Sequence, residues 1–247
     1  MVTNSHAGNG MGGIALGGTG TVVQGNYIGT NAAGTAALPN GTEGVFGNAT
    51  GAVIGGAAAG AGNVISHNGR FGVLLFGSGG NRVEANTISG NGRAGVVVGT
   101  GTGNTFTRNS IVGNGELGIE LAPLGVNAND PGDADTGANN LQNYPVLTRA
   151  IASAGRLVVQ GTIDTPNPET VTIELFASAV PMPGGDPSGH GEGAVFLGTV
   201  TPNVQGRFVA VLPPVAGGML VTATATDAAG NTSEFAANVT ALGPGPP

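Results

Sequence analysis

The sequence predicts an all-β protein in two parts: a short parallel β-helix of four to five coils, followed by an antiparallel β-sandwich. Three observations in the 247 residues favour this fold class: a 23-residue repeat in the first half, alternating apolar and polar residues in the second, and 49 glycines throughout. Gly or Asn-Gly interrupts the first half every few residues, so no apolar pattern with the helical period lasts for a whole helix. Short strands joined by tight turns are the structure that this pattern predicts.

The repeat is clearest between positions 63 and 121. An Asn-Gly pair begins at positions 68, 91 and 114, and an isoleucine stands at positions 65, 88 and 111. Two earlier copies are longer because "TNAAGTAALPNGTE" and "GGAAAGAG" are inserted in them. Repeats of about 20 to 50 residues are typical of solenoids, and coils stacked about 4.8 Å apart pair each strand with its own copy. The sequence therefore predicts a parallel β-helix over residues 1–124.

Aligned copies place apolar side chains in columns, which we expect to fill the interior because strand side chains alternate between the two faces. The inward columns are Ile14, Val45, Val73, Val96 and Ile119 in the first strand, Val23, Val53, Val83 and Phe106 in the second, and Ile28, Ile65, Ile88 and Ile111 in the third. A further column contains Asn26, Asn63, Asn86 and Asn109. We interpret it as a ladder of amides that bond along the axis, in preference to a polar binding row.

The stretch "GVLLFGSGGNRVEANTISGNGRAGVVV" and its 23-residue successor resemble the right-handed parallel β-helix repeats of pectate lyases and of many bacterial surface proteins. The resemblance covers residues 12 to about 124 and implies that the β-helix is right-handed. Together with "DADTGANNLQNYPVL" and "VTATATDAAGNTSEF", the coils also look like the long secreted bacterial proteins that carry an N-terminal CSLREA motif. That motif does not occur in this sequence.

The repeat ends after Leu121, and a polar, acidic connector is predicted over residues 125–145. Six segments with a period of two residues follow: "RLVVQGTID", "TVTIELFAS", "AVFLGTVTP", "GRFVAVLP", "MLVTATATD" and "TSEFAANVTA". Strands at this spacing predict an antiparallel β-sandwich over residues 146–242. The end of this part, "TDAAGNTSEF", resembles bacterial immunoglobulin-like modules and implies a sandwich of that kind. The terminal "GPGPP", residues 243–247, is predicted to be a tail.

Three aspartates, Asp130, Asp133 and Asp135, lie close together in "NDPGDADTG", and Asn129 precedes them. Hard oxygen ligands at alternating positions of a Gly-containing loop suit calcium. The EF-hand pattern is not matched, because no Glu stands at its closing position. We predict that Asp130, Asp133, Asp135 and Asn129 bind calcium; the alternative is a solvated acidic linker.

Charge and composition exclude several classes of function. The net charge is −7, and all seven basic residues counted are Arg, so the chain lacks the basic surface that binding to nucleic acid or to an anionic membrane requires. Cysteine is absent, which excludes disulfides and thiolate metal sites. No apolar run reaches the length of a membrane span.

Catalytic residues are not predicted. A β-helix that cleaves polysaccharides needs carboxylates clustered on one face of the coils, beside Arg or Lys. The acids of the coils are only Glu43, Glu84, Glu116 and Glu120. Arg70 and Arg93 share a column with Glu116, as in a surface ion-pair ladder, and the histidines lack a visible Ser or Asp partner: His6, His67 and His190. We therefore predict that the protein is not an enzyme.

The outward column of the first strand contains three large apolar residues, Phe46, Leu74 and Val97. A contiguous apolar surface usually marks an interface, and the unpaired strand edges of the first coil also favour association. We predict that the protein associates with itself through this strip or end to end at the first coil, and head-to-tail contacts of this kind propagate into filaments. The alternative is that the inserted loops of the chain cover the strip.

Together these observations predict an extracellular structural or adhesive protein, secreted or displayed on a bacterial surface, whose partners are further copies of itself and surface glycans. The alternative is a carbohydrate-binding or polysaccharide-degrading β-helix protein. The first residues, "VTNSHAGNG" after Met1, contain no secretion signal, so the chain is expected to be a fragment of a longer precursor.

Overall fold

The structure is a computed structural model that describes residues 4–77, 79–153, 155–179 and 187–243. In these ranges, the first half of the chain folds into short strands that stack in three parallel sheets. The first sheet contains β2 (Ile14–Leu16), β5 (Val45–Gly47), β8 (Val73–Leu75), β11 (Val96–Val98) and β14 (Ile119–Leu121). The second contains β3 (Val22–Val23), β6 (Val53–Gly55), β9 (Arg82–Glu84) and β12 (Thr105–Thr107). The third contains β1 (Ser5–His6), β4 (Tyr27–Ile28), β7 (Val64–Ser66), β10 (Thr87–Ser89) and β13 (Ser110–Val112).

Equivalent residues of successive coils are direct neighbours in these sheets. Val73 of β8 pairs with Val96 of β11, and Val96 pairs with Ile119 of β14. Each strand therefore pairs with its own copy one repeat further along the chain. This register confirms the predicted parallel β-helix.

The aliphatic columns form the interior of the coils. The side chains of the third-sheet column, Ile28, Ile65, Ile88 and Ile111, are buried. One position in the second sheet was predicted wrongly, because Ile54, and not Val53, points inward and pairs with Val83. Neighbouring strand residues point to opposite faces, and the longer second copy reaches β6 with Ile54 on the inner side.

Asparagines, all of them buried except Asn9, form three ladders along the axis in the described part of the chain. In the predicted column, Asn63 donates its backbone N–H and its Nδ2 to Oδ1 of Asn86, each at 2.9 Å. The Asn-Gly turns supply a second ladder, which runs through Asn9, Asn40, Asn68, Asn91 and Asn114. The third runs through Asn81, Asn104 and Asn139. The ladders satisfy backbone groups that the tight turns bury, as buried polar groups require.

The second half forms two antiparallel sheets, consistent with the predicted sandwich. One contains β15 (Val146–Ser153), β16 (Arg156–Thr162) and β19 (Arg207–Leu212), and the other contains β17 (Thr172–Ser178), β18 (Val195–Val200), β20 (Leu220–Thr226) and β21 (Val239–Thr240). Short 3-10 helices lie at Ala138–Leu141 and Pro168–Thr170. The shared core contains Leu157, Val159, Ile173, Leu175, Val221 and Ala223.

Two strands differ from the expected pattern. Strand β15 was not expected, because the polar pair Thr148 and Arg149 interrupts its alternation, and a bulge lies at that point. The last predicted segment forms a strand only at β21. Most of the predicted tail lies outside the described residues.

The second half closes the last coil of the first. Phe176 and Phe235 belong to the apolar core of the coils, and their rings make an edge-to-face contact with centroids 5.5 Å apart. The interior of the β-helix therefore ends on side chains of the antiparallel half. Among the described residues, none of the helices has the length and apolar character needed to cross a membrane.

Candidate functional site

The acidic connector is held in place by its asparagines. Asn129 Nδ2 donates to the carbonyl oxygen of Tyr144 at 2.8 Å, and the N–H of Tyr144 donates to Asn129 Oδ1 at 3.0 Å. Asn143 Nδ2 donates to the carbonyl oxygens of Asp130 and Asp164, at 2.8 and 2.7 Å. These side chains replace the sheet hydrogen bonds that an irregular segment lacks.

The same fold brings three of the four predicted calcium ligands together. Asp130, Asp133 and Asp135 each place a carboxylate oxygen within 4.8 Å of the other two. The Oδ1 atom of Asp135 is buried and has no hydrogen-bond partner. Asn129, the fourth predicted ligand, uses its amide on the backbone of Tyr144.

The carboxyl groups of this cluster differ in the number of hydrogen bonds that their oxygens accept. Asp133 Oδ1 accepts from the N–H of Asn143 at 2.7 Å, and Asp133 Oδ2 accepts from Gln142 Nε2 at 2.7 Å and from Thr165 Oγ1 at 2.6 Å. Burial, and then the neighbouring carboxylates, raise the pKa of Asp135. Burial also raises the pKa of Asp133, although its hydrogen bonds from Thr165 and Asn143 act in the opposite direction. Three crowded carboxyl groups with an unpartnered oxygen fit a hard cation, which would offset their repulsion.

A cleft of about 360 Å³ opens beside this cluster. Its wall contains Asp133, Asp135, Asn140, Gln142, Thr165 and Asp227. The connector and the turn after β20 thus enclose a polar space.

The predicted outward strip is largely covered, which corrects the expected exposure of Phe46, Leu74 and Val97. Val97 is only 3% exposed, and it packs with Phe71 and Ala94 in a separate apolar cluster that Leu74 borders. Phe71 and Ala94 come from the turns that precede β8 and β11, and they fold back over the sheet. The residues that cover Val97 are therefore those of the repeat itself, and not those of the inserted loops.

The charged column beside this cluster forms ion pairs, as expected. Arg70 lies 3.2 Å from Glu43, and Arg93 lies 2.8 Å from Glu116. Both guanidinium groups also lie over the ring of Phe71, at 5.0 and 4.9 Å. The two guanidinium groups therefore cover the ring of Phe71 from the solvent side.

A second cleft, which the sequence did not indicate, lies beside the third sheet. The inserted loop around positions 30–37 overhangs β7 and β10 and encloses about 400 Å³, and the lining includes Thr30, Thr35, Ser66, His67, Thr87 and Ser89. His67 was predicted to lack a partner, but its Nδ1 lies 2.7 Å from Ser66 Oγ. The sequence did contain a signal for this contact, because Ser66 directly precedes His67.

His67 also departs from the repeat. Gly90 and Gly113 occupy the equivalent place in the next two coils, with φ of 62° and 70°, and His67 adopts the same left-handed conformation with φ of 60°. Residues other than glycine rarely adopt this left-handed conformation. The imidazole therefore stands at a turn that the repeat otherwise reserves for glycine.

These coils match a known family. Residues 1–130 match the family model described as the right handed beta helix region, so the chain belongs to the right-handed β-helix family. A search of curated protein sequences gives no significant match.

One similar solved structure is the enzymatically active domain of tailspike protein 2 from bacteriophage CBA120. It is 10% identical, with a TM-score of 0.24, and the alignment covers 88% of this chain and 52% of that one. The chain thus spans about half the length of that structure. The prediction that the protein is not an enzyme is contradicted by this comparison, because the similar structure is an enzymatically active domain. The likeness is too low to assign a reaction or a substrate.

Proposed function

We propose that the protein is an extracellular structural or adhesive protein of a bacterial surface. In this proposal the coils are a rigid stem, and the antiparallel half is a head fixed to the end of the stem. The observation that carries it is the junction, where buried acidic and amide side chains of the head and connector bond to the last coils.

The junction continues two of the asparagine ladders. Glu192 of the head accepts hydrogen bonds from the N–H of Gly113 at 2.6 Å, from the N–H of Asn114 at 2.9 Å and from Asn114 Nδ2 at 2.8 Å. In the same way, Asn139 Oδ1 accepts from the backbone N–H of Asn104 at 3.0 Å and from Asn104 Nδ2 at 3.2 Å. These side chains stand where the asparagine of a further coil would stand.

Two more carboxyl groups strengthen the junction. Glu174 accepts from the N–H of Arg108 at 2.8 Å and from Thr107 Oγ1. Glu234 accepts from the N–H groups of Leu121 and Asn127, each at 3.0 Å. Both carboxyl groups satisfy backbone N–H groups that the junction buries, and the stem and head are expected to move as one body.

Retention of the purified protein on bacterial cells and on insoluble polysaccharides tests this function. We expect the protein to stay bound to these surfaces, whether or not any of the polysaccharide is lost. Release of sugar fragments without retention contradicts the adhesive role and favours a carbohydrate-degrading one.

The second candidate function, carbohydrate binding or degradation, is favoured by the hydroxyl-lined cleft beside β7 and β10. Hydroxyl and imidazole groups are donors and acceptors that suit a polyhydroxylated ligand. His67→Gly is the informative variant, because it restores the glycine of the repeat and leaves the turn unstrained. Calorimetric titration with oligosaccharides is expected to lose binding in this variant, and equal affinity in both proteins contradicts the role of the cleft.

Self-association is proposed to occur through the first coil, because Val97 is covered and the first coil has exposed apolar side chains. Met11 is 74% exposed and Val22 is 59% exposed, beside the outer edges of β2 and β3, which pair with no further strand among the described residues. Light scattering is expected to give more than one protomer for the native chain and one for Met11→Asp with Val22→Asp. Val204→Asp, at an exposed position of the head, is the matched control. A monomeric native chain at high concentration contradicts the proposal.

Calcium is proposed to bind Asp130, Asp133 and Asp135. Thermal melts with calcium and with a chelator are expected to differ for the native protein and to coincide for Asp135→Asn. Glu169→Gln, at an exposed position, is expected to keep the calcium response. Identical melts of the native protein under both conditions contradict a calcium site.

A further inference from the structure

The outer face of the three-stranded sheet of the head differs in charge from the protein as a whole. The chain has 14 acidic residues and seven basic ones, yet strands β15, β16 and β19 contain three arginines and no Asp or Glu. The arginines are Arg149, Arg156 and Arg207, and all three are exposed. Among the residues that the structure describes, neither Arg149 nor Arg156 takes part in an ion pair. This face is therefore locally basic on an acidic protein.

One row of the same face is apolar. Val158 of β16 pairs with Ile151 of β15 on one side and with Val211 of β19 on the other. Leu242 bridges to Ile151 beyond β15 and extends the row. Paired residues point to the same face of a sheet, and four chain segments about 4.8 Å apart give a row about 14 Å long. Leu242 is 56% exposed and Val211 is 66% exposed, so both ends of the row are open to solvent.

An arginine stands on each side of this apolar row. Arg156 pairs with Ser153 in the next row, and Arg149 pairs with Gln160 in the row on the opposite side. Neighbouring rows on one face are about 7 Å apart, so both guanidinium groups can reach a ligand that lies over the apolar row. A hollow of about 210 Å³ opens beside Arg156, and its lining includes Ser153 and Pro214. Ser153 and Gln160 add neutral groups that bond to hydroxyls.

We propose that this face binds an acidic polysaccharide, a sugar chain that carries carboxylate groups, along the apolar row. The C–H faces of the sugar rings pack on Val158 and Val211. The carboxylates at the two edges of the sugar chain pair with Arg149 and Arg156, and the guanidinium group suits carboxylates because it bonds to both oxygens at once. The proposal rests on the adhesive function proposed above, and it names the surface that makes the contact and the chemistry of the glycan.

Charge complementarity selects this occupant. A second copy placed face to face would bring the arginines of both copies together without an acidic partner, and like charges oppose such a contact. Protein partners draw most of their binding energy from large side chains that fill pockets, whereas this row consists of short aliphatic side chains on the surface of a sheet. An exposed apolar row of this kind marks a binding surface, and its arginines require a negatively charged ligand.

Affinity electrophoresis in gels that contain carboxymethyl cellulose or hydroxyethyl cellulose tests the proposal, because the two polymers share a backbone and differ in charge. The native protein is expected to be retarded by carboxymethyl cellulose alone, and less so as salt is added, since salt screens the charge pairs. Equal migration in the two gels overturns the proposal. Polyglutamate that competes as strongly as free carboxymethyl cellulose also overturns it, in favour of an acidic protein as partner.

The outcome separates this proposal from the adhesive function. Retention of the protein on bacterial cells without retardation by carboxymethyl cellulose overturns the present proposal alone. Absence of both retention and retardation removes the adhesive function as well.

Variants assign the binding to the face. Arg149→Gln with Arg156→Gln is expected to weaken binding by about tenfold or more, because each arginine loses a charged hydrogen bond. Val211→Asp is expected to weaken it too, since it places a negative charge in the row. The thermal midpoint is expected to stay unchanged, because these side chains are exposed.

Arg207→Gln is the matched control. Arg207 belongs to the same sheet, but it lies two rows away from the apolar row and lines a cleft that also contains Asp164. This variant loses the same charge and is expected to bind like the native protein. A double variant, Arg149→Gln with Arg156→Gln, that binds like the native protein overturns the proposal, and so does an equal loss of binding in Arg207→Gln.

Discussion

At the scale of the residue, the stacked asparagines contribute more to the stability of the fold than their polar character suggests. Asn63 and Asn86, for example, each donate both the backbone N–H and the side-chain Nδ2 to one Oδ1 atom of the asparagine in the next coil. The sequence predicted the column that contains Asn86, because its members recur at the repeat period. It did not predict that the asparagines of the Asn-Gly pairs form a second ladder, because the pair alone equally indicates a turn.

Asn86→Ala is expected to destabilise the protein by about 1–3 kcal/mol, because it leaves two buried donors of Asn63 without an acceptor. Urea unfolding measures the change. Asn48→Ala, at an exposed position, is the control and is expected to have little effect. Equal unfolding midpoints for both variants would show that the ladder adds no stability.

Glu234 gives the junction a dependence on pH. Burial raises the pKa of Glu234 to about 7, above the value of about 4.3 expected in the unfolded chain. The folded state therefore binds a proton that the unfolded state releases between these values, and the free energy of unfolding falls as the pH rises from about 4.3 to 7. Glu234→Gln stays neutral and is expected to remove this part of the decline.

Unfolding free energies of the native protein and of Glu234→Gln, measured across that range, check the prediction. Glu169→Gln is the matched control, since its carboxyl group is exposed. If the difference between native protein and Glu234→Gln is constant with pH, the raised pKa is wrong.

At the scale of the element, the outer face of the first sheet shows what the alternating pattern could and could not predict. Alternation correctly separates the inward column from the outward one. It does not reveal what lies over the outward residues, because Phe71 and Ala94 belong to turns whose path is not fixed by a strand pattern. The period places both of them in one column, so their stacking was a signal that the sequence did offer.

Val97→Asp is expected to destabilise the fold, since Val97 is buried between Phe71 and Ala94. An uncompensated buried carboxylate costs about 3 kcal/mol or more. The thermal midpoint is expected to fall far more than that of Val22→Asp, whose side chain is exposed. A normal midpoint for Val97→Asp would mean that the strip is open to solvent after all.

The three aspartates of the connector lie close together in one loop. Their proximity follows from sequence distance alone. One contact that fixes Asp133 comes from Thr165, which follows β16 and lies outside the connector. Such partners depend on how the sandwich folds, and the local pattern does not contain them.

At the scale of the whole molecule, the junction between the coils and the head is the part that could not be predicted from the sequence. Glu192 and Asn114 are 78 positions apart, and no repeat links the head to the coils. The coils were predictable because the contacts of the later copies recur at a spacing of 23 residues. The head meets the stem through contacts that occur once.

Glu192→Ala is expected to loosen the last coil, because it leaves the donors of Gly113 and Asn114 without their acceptor. Amide hydrogen exchange is expected to rise at these two residues, together with a loss of about 1–3 kcal/mol in stability. Exchange at Val73, in the middle of the stem, is the internal reference. Unchanged exchange at Gly113 and Asn114 would show that Glu192 is dispensable for the junction.

The hydrogen bonds between stacked asparagines all run in one direction, because each Nδ2 donates to the asparagine of the next coil and each Oδ1 accepts from that of the previous coil. The stem consequently has two chemically different ends, and the head fits only the end that presents donors. A unit of 23 residues inserted between two existing coils leaves both ends unchanged. The length of the stem can therefore change by whole coils without any change to the residues that hold the head.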